Sequence, residues 1–422
     1  MNGKAVTERF ADKREEILDS AARLFNQHGI KGGPLSELAQ RVGLVTNSLT
    51  YYYRKKEDLA CACLQRAMAA LLTVVDAAAR ERTLAQRIRT LLAGYLGLLA
   101  DIAEARHAEL IVFSDLLSLA PPQREAMMAA YTQMFRRVRG LLDAPDAARL
   151  EPAQRNARAH LLLSTVSWAR AWIARHEPDD YPRVAAQIAD ILWFGLAGAG
   201  QRIEAAAVAP NPAPSADGAA ATRAAYLRAA TRLVNEHGYR GASVDRIAAE
   251  LRLTKGSFYH HHETKEELIA ACFERTFAVV RAAQGAALAA PGSGLERLTL
   301  ACRALLDYQM SPHGPLLRAT AWTGLPAALR DDTRRTMGRL GERFAALVVD
   351  GMSDSSVRIV DPSIAAQVIN GVVNAAAELE RWVPGLRADN AFELYAMPLF
   401  GGLQGAASPP RPLPRAVAVS ER

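Results

Sequence analysis

Two short stretches of the chain carry side chains suited to grip a polyanion. Thr46, Asn47, Ser48, Thr50 and Tyr51 crowd one stretch, and Lys56 follows five residues after Tyr51. Thr254, Lys255, Ser257, Tyr259 and His260 crowd the other, and Lys265 follows five residues after His260. Hydroxyls, an amide, phenols and an ammonium are donors for phosphate oxygens and for base edges in a major groove. A lysine that opens a helix is poorly matched to the dipole there. A phosphate partner would account for both Lys56 and Lys265.

Other chemistries fit less well. His260, His261 and His262 are adjacent, so on a helix they point in different directions. Metal ligands on one helix face need i and i+4 spacing, and no metal is expected. Cys61 and Cys63 have no second pair at zinc spacing, and Cys63 falls on an apolar helix face, which predicts a buried structural thiol. No phosphate loop, Gly-x-Ser-x-Gly, His-Glu-x-x-His or dinucleotide fingerprint occurs. Neither an enzyme nor a resident cofactor is expected.

The elements that would position these donors are written twice. Leu18 to Leu59 lies over Leu227 to Leu268 without a gap, with fourteen of 42 positions identical and only two of the matches alanine. Ile17, Ala21, Leu24 and Phe25 make one apolar helix face, as do Tyr226, Ala230, Leu233 and Val234. Gly29 and Gly238 end that helix. A short helix follows, opened by Pro34 at its first position or capped by Ser243. A tight turn leads to a third short helix, residues 46–53 or 255–262, with Leu49 or Phe258 as its buried position. Two short helices joined by such a turn form a helix-turn-helix. Tyr53 is expected to pack inward and Tyr51 to face out.

A weaker echo at offset 210 pairs Glu151-Pro152 with Asp361-Pro362 and Trp172 with Trp382. A period near 210 residues is too long for a solenoid and marks two copies of a whole two-part protein. The expected domains are 1–60, a first helix-turn-helix; 61–204, a helical effector and dimerisation domain; and 205–221, a Pro/Ala linker. Residues 222–270 form the second helix-turn-helix, 271–408 the second helical domain, and 409–422 a disordered tail. Helical periodicity throughout and scarce strand signals make the fold class all-α.

The run Thr254-Lys255-Gly256-Ser257-Phe258-Tyr259-His260-His261-His262 with Lys265-Glu266-Glu267-Leu268 resembles the DNA-binding signature of the TetR/AcrR family of bacterial repressors. Arg252 and His262 depart from it. The first copy keeps Lys56-Glu57-Asp58-Leu59 but departs at Thr46, Asn47, Thr50 and Tyr53. The resemblance covers about 50 residues per copy. It implies a double-stranded DNA operator as partner and a small-molecule effector. It also implies a dimer built on the last two helices of each unit, here 152–175 with 181–201 and 362–381 with 388–403. In a tandem chain that dimer can form internally, with recognition helices about 34–36 Å apart. The heads differ, which implies an asymmetric operator. Candidate ligand residues are His107, Phe113 and Trp168 in the first copy and Tyr308, His313 and Trp322 in the second. Trp172 and Trp382 are assigned to interface packing. Two alternatives stay open: a sensor whose first head no longer contacts DNA, and chains that pair to present four heads.

Composition is consistent with this. The chain has 422 residues, half of them hydrophobic, so disorder over most of it is excluded. Four cysteines exclude a disulfide scaffold. No signal peptide and no membrane-length apolar run is expected, and the protein is expected to be soluble and cytoplasmic. The net charge of +7 is spread thinly: residues 1–60 carry +2 and residues 217–273 carry +1. Placed contacts rather than bulk charge would therefore hold DNA.

Overall fold

The computed structural model describes residues 2–203, 219–250, 264–319 and 327–404, together with Ala321 and Leu325. Among these residues the chain is all-α. The one β-type pairing among the described residues is an isolated bridge between Ala197 and Val357.

The first copy runs α1 (Asn2–His28), α2 (Leu35–Arg41), α3 (Thr46–Tyr52), α4 (Lys56–Ala79), α5 (Leu84–Ala103), a 3-10 turn (Phe113–Ser118), α6 (Pro121–Gly140), α7 (Pro152–Trp172) and α8 (Tyr181–Phe194). The second runs α9 (Ala219–Gly241), α10 (Val244–Glu250), α11 (Lys265–Ala289), α12 (Gly294–Met310), α13 (Ala327–Ser353), α14 (Pro362–Ala375) and α15 (Leu379–Trp382). A π-turn (Phe392–Ala396) then leads into α16 (Met397–Gly401).

Local chemistry fixes the element ends. Gly29 and Gly238 take φ of 70° and 71°, so both first helices break where the sequence places them. Thr83 and Ser293 close reciprocal capping boxes with Gln86 and Glu296 at the same place in each copy. Glu151 and Asp361 are N-caps, each followed by a proline in the first turn.

Some boundaries differ from expectation. Pro34 is the N-cap of α2 rather than its first helical residue, because its ψ of 134° is extended. The helix expected over 181–201 stops at Phe194, since Gly195 turns to φ 77°. Its counterpart starts after residue 390 instead of 388. Helix α9 begins at Ala219, inside the stretch expected as linker, where the alanines continue the helix. Lys56–Ala79 is long and apolar enough to cross a membrane by length and composition, contrary to the expectation that no such run exists. In the fold, α4 packs against α1, α5 and α6 as a core helix.

The copies meet through α7, α8, α14 and the Phe392–Gly401 region. His160 Nε2 donates to Ala375 O at 3.1 Å, Asn156 Nδ2 donates to Trp382 O at 2.7 Å, and Ser164 Oγ meets Tyr395 OH at 3.2 Å. At the helix ends the contact is reciprocal. Leu196 N–H donates to Leu399 O at 3.2 Å, and Leu403 N–H donates to Leu192 O at 2.9 Å. Leu192 and Leu196 stand to Leu399 and Leu403 as each copy stands to the other, as an isologous two-fold contact requires. Gly195 and Gly402 permit it: a Cβ on Gly195 would lie 2.2 Å from Phe400 O, and one on Gly402 would lie 2.4 Å from Trp193 O.

Candidate nucleic-acid interface and ligand cavities

In the first head α1 supplies the floor. Ile17, Ala21, Leu24 and Phe25 are buried beneath Leu38 and Ala39 of α2, Val42 just after it and Leu49 of α3. Gly43, at φ 64°, makes the turn. Leu49 is the buried residue of α3, and Tyr52 packs half-buried against the core. Thr46, Asn47, Thr50 and Tyr51 are exposed and Ser48 is half-buried; Tyr51 is 78% exposed. Phe10 of α1 stacks on Tyr52 at 4.9 Å and meets Tyr51 edge-on at 5.8 Å, which braces the outward ring. Tyr53 turns in only halfway. Arg14 Nε donates to its hydroxyl at 3.0 Å, while burial pushes the phenol pKa up.

Both helix-opening lysines have partners inside the fold. Lys56 Nζ donates to Lys31 O at 3.1 Å and lies 6.0 Å from the Phe25 ring centre. Lys265 Nζ sits 4.3 Å from the centre of the Tyr239 ring. These contacts supply part of the stabilisation that the sequence alone assigned to phosphate.

In the second head Tyr226, Ala230, Leu233 and Val234 are buried with Ile247 and Ala248. Ser243 Oγ caps α10 by accepting from Arg246 N–H at 3.2 Å. Thr254, Lys255, Ser257, Tyr259 and His260 lie outside the described residues, as do His261 and His262. Among the described residues no group of His, Cys, Asp and Glu could hold a metal. Cys63 and Cys272 are buried at matching places. Their thiols contact Leu18 O at 3.7 Å and Leu227 O at 3.5 Å, and burial pushes them up to about 12 and about 11. Their burial is as expected.

Behind the heads lie two cavities. The first, of about 490 Å³, is lined by Tyr95, Phe113, Met128, Tyr131, His160 and Trp168 of the first copy, and by Arg318, Asn374, Glu378 and Trp382 of the second. The second, of about 480 Å³, is lined by Phe273, Thr276, Phe277, Gln309 and Leu340 of the second copy, and by Trp168, Trp172 and Arg175 of the first. Trp168, Ala171, Ala319 and Asn374 line both cavities. Phe113 and Trp168 are thus where a ligand could touch them. His107, Tyr308 and His313 line neither cavity; His107 Nδ1 instead meets Ala108 O at 2.6 Å, and His313 O accepts from Arg275 Nη1 at 3.2 Å. Trp322 lies outside the described residues.

Sequence reasoning missed the charged side chains of the first cavity. Arg170 pairs with Glu109, and Arg318 pairs with Glu378. It also missed His160, whose pKa burial depresses. It missed a pair of asparagines as well. Asn26 Nδ2 donates to Leu110 O and Asn26 Oδ1 accepts from Val112 N–H, both at 2.9 Å. Asn235 treats Leu316 O and Arg318 N–H the same way, at 2.9 and 3.0 Å. Their identity in the repeat was the available signal.

Comparison with known proteins bears on the heads. The profile of bacterial regulatory proteins of the tetR family matches residues 17–63 and again residues 227–272. The chain carries two tetR-family N-terminal domains. A curated relative, the transposon Tn10 TetC protein of Escherichia coli, is 34% identical over 61 residues, 14% of this chain and 31% of that protein. The chain therefore spans about a third of that relative's length. Among solved structures, the TetR-family regulator PfmR of Thermus thermophilus is 25% identical, with 42% of this chain and 98% of that one covered at a TM-score of 0.36. AibR, solved with isovaleryl coenzyme A and operator DNA, is 21% identical over 42% of this chain and 98% of its own, at a TM-score of 0.35. Each matched segment begins within the helix that floors its head and ends in the helix that carries the buried Cys63 or Cys272.

Proposed function

We propose that this chain is a DNA-binding transcriptional regulator, a ligand-responsive repressor whose two tetR heads sit on one internal pseudo-dimer. The observation that carries this reading is the outward face of α3. A family head whose short third helix buries only Leu49 and exposes Thr46, Asn47, Thr50 and Tyr51 is formed to enter a major groove. Ser48 and Lys56 lie beside them as phosphate contacts. In the second head the same work falls to Thr254, Lys255, Ser257, Tyr259, His260 and Lys265.

The reciprocal contact of Leu196 with Leu399 and of Leu403 with Leu192 supports one chain acting as the dimer. The unlike recognition residues support an asymmetric operator. The two cavities, each closed by residues of the other copy, support a small-molecule effector. Such a regulator works in the cytoplasm.

The test is operator selection from a random DNA library with the full chain, followed by footprinting and mass determination of the complex. One chain on a site with unlike halves is expected. A perfect inverted repeat holding two chains would overturn the pseudo-dimer, and no enriched sequence would overturn DNA recognition itself.

A further inference from the structure

Residues 315–319 form a strap tied down by side chains from four helices. Its consecutive amides are taken one by one. Leu316 N–H donates to Gln309 Oε1 at 2.8 Å, Leu317 N–H to Thr276 Oγ1 at 3.0 Å, Arg318 N–H to Asn235 Oδ1 at 3.0 Å, and Ala319 N–H to Asn374 Oδ1 at 2.7 Å. Those partners come from α12, α11, α9 and α14 in turn. The carbonyls are held too: Asn235 Nδ2 reaches Leu316 O at 2.9 Å and Arg275 Nη2 reaches Pro315 O at 2.7 Å. The Arg318 side chain pairs with Glu378.

Both cavities touch this strap. Leu316, Leu317 and Ala319 are part of the second cavity's wall, and Arg318 and Ala319 are part of the first's. Helix α9, which supplies Asn235, is the floor of the second head. We propose that the strap is a shared relay: a ligand in either cavity displaces residues 315–319, and Asn235 transmits the displacement to the second head. This deepens the effector reading above and rests on it.

The physical reason is the cost of slipping. If α9 stayed while the strap moved, the Arg318 N–H and the Asn235 amide would lose each other in a part-buried site. Leaving these groups without partners there is costly, so strap and helix move together. The first copy is wired differently. Asn26 holds Leu110 and Val112, which line the first cavity alone. The first head is therefore coupled to one cavity and the second head to both.

The experiment is amide hydrogen exchange on the full chain with and without 1-anilinonaphthalene-8-sulfonate. Its rings suit the apolar walls, and its sulfonate suits Arg381 and Arg175 at the first and second cavities. Met128→Trp fills the first cavity and Met337→Trp fills the second; both methionines are half-buried, so the larger ring has room to be accommodated. In the unmodified chain the probe is expected to alter exchange in α9 by about threefold or more. Each filled variant alone should bind less probe and still show the α9 response. Asn235→Ala should bind the probe normally and lose that response. Asn235→Asp, which keeps the acceptor for Arg318 but not the donor for Leu316, should fall between.

A full α9 response in Asn235→Ala, or its complete loss in one filled variant, would overturn the relay and leave the effector reading standing. Undiminished probe binding in both filled variants would remove the cavities as ligand sites, and the relay with them.

Discussion

Trp382 of the second copy lies on Phe135 of the first, with ring centroids 4.5 Å apart and planes 28° apart. Tyr131 closes on the same indole at 5.6 Å, and Asn156 bonds its carbonyl. Trp172 occupies the matching register of the first copy but packs differently. It meets His176 edge-on at 5.8 Å and walls the second cavity. Trp382→Ala should therefore lower stability by about 2–3 kcal/mol, seen as a lower midpoint in urea with the two copies separating first. Trp172→Ala should instead change probe binding in the second cavity.

Tyr51 and Leu49 test the first head from opposite sides. Leu49 is 3% exposed and packs into the head's core, whereas Tyr51 is 78% exposed. Leu49→Ala should destabilise the protein by about 2–4 kcal/mol. Tyr51→Ala should leave the thermal midpoint within about 2 °C and weaken gel-shift affinity for a selected operator at least about fivefold. Unchanged affinity would mean that this head no longer contacts DNA.

Acid should loosen the join between the copies. His160 is buried, burial lowers its pKa below the ordinary 6.5, and its Nε2 donates to Ala375 O across the join. Below about 6.5 the unfolded chain takes up a proton that the folded chain refuses. Stability is thus whole above that pH and falls as pH drops through the window beneath it. Urea midpoints measured from pH 7.5 to 5 should show the decline, and His160→Gln should flatten it.

Gly195 and Gly402 should both resist substitution. Each takes positive φ, 77° and 84°, and each faces backbone of the other copy at a distance no Cβ tolerates. Alanine at either position should cost at least about 3 kcal/mol. Alanine at Gly97, where nothing lies within 4 Å, is the control and should be close to neutral.

Thiol chemistry offers a further check. Cys63, Cys272 and Cys302 are buried, and burial pushes each far up, to about 12, about 11 and about 12. Cys61 is half-buried. A disulfide reagent at pH 8 should label only Cys61 in the folded chain and all four after denaturation.

Much of this was legible in the sequence because it depends on near neighbours. The buried face from Ile17 to Phe25, the break at Gly29, the outward Tyr51 and the matched Cys63 and Cys272 follow from periodicity and from the repeat. The cavities were not legible, because their walls come from both copies. Trp168 was named for the first cavity yet also walls the second, while Tyr308 and His313 line neither: α12 contributes Gln309 rather than its neighbour Tyr308, and the rest of that side comes from α11, α13, α14 and the strap. The ion pairs Arg170–Glu109 and Arg318–Glu378 join residues 61 and 60 positions apart, a separation at which residue spacing says nothing about contact.

The paired helix ends at Leu196 and Leu403 have a consequence for dosage. A partner on the same chain is present at an effective concentration of about millimolar, set by the connecting segment rather than by expression. Two separate subunits thin out as the square of their abundance when a cell makes few copies. On the proposed reading of one chain as the dimer, the pairing holds down to a single molecule, so operator occupancy should rise in simple proportion to protein, with a Hill slope of about one.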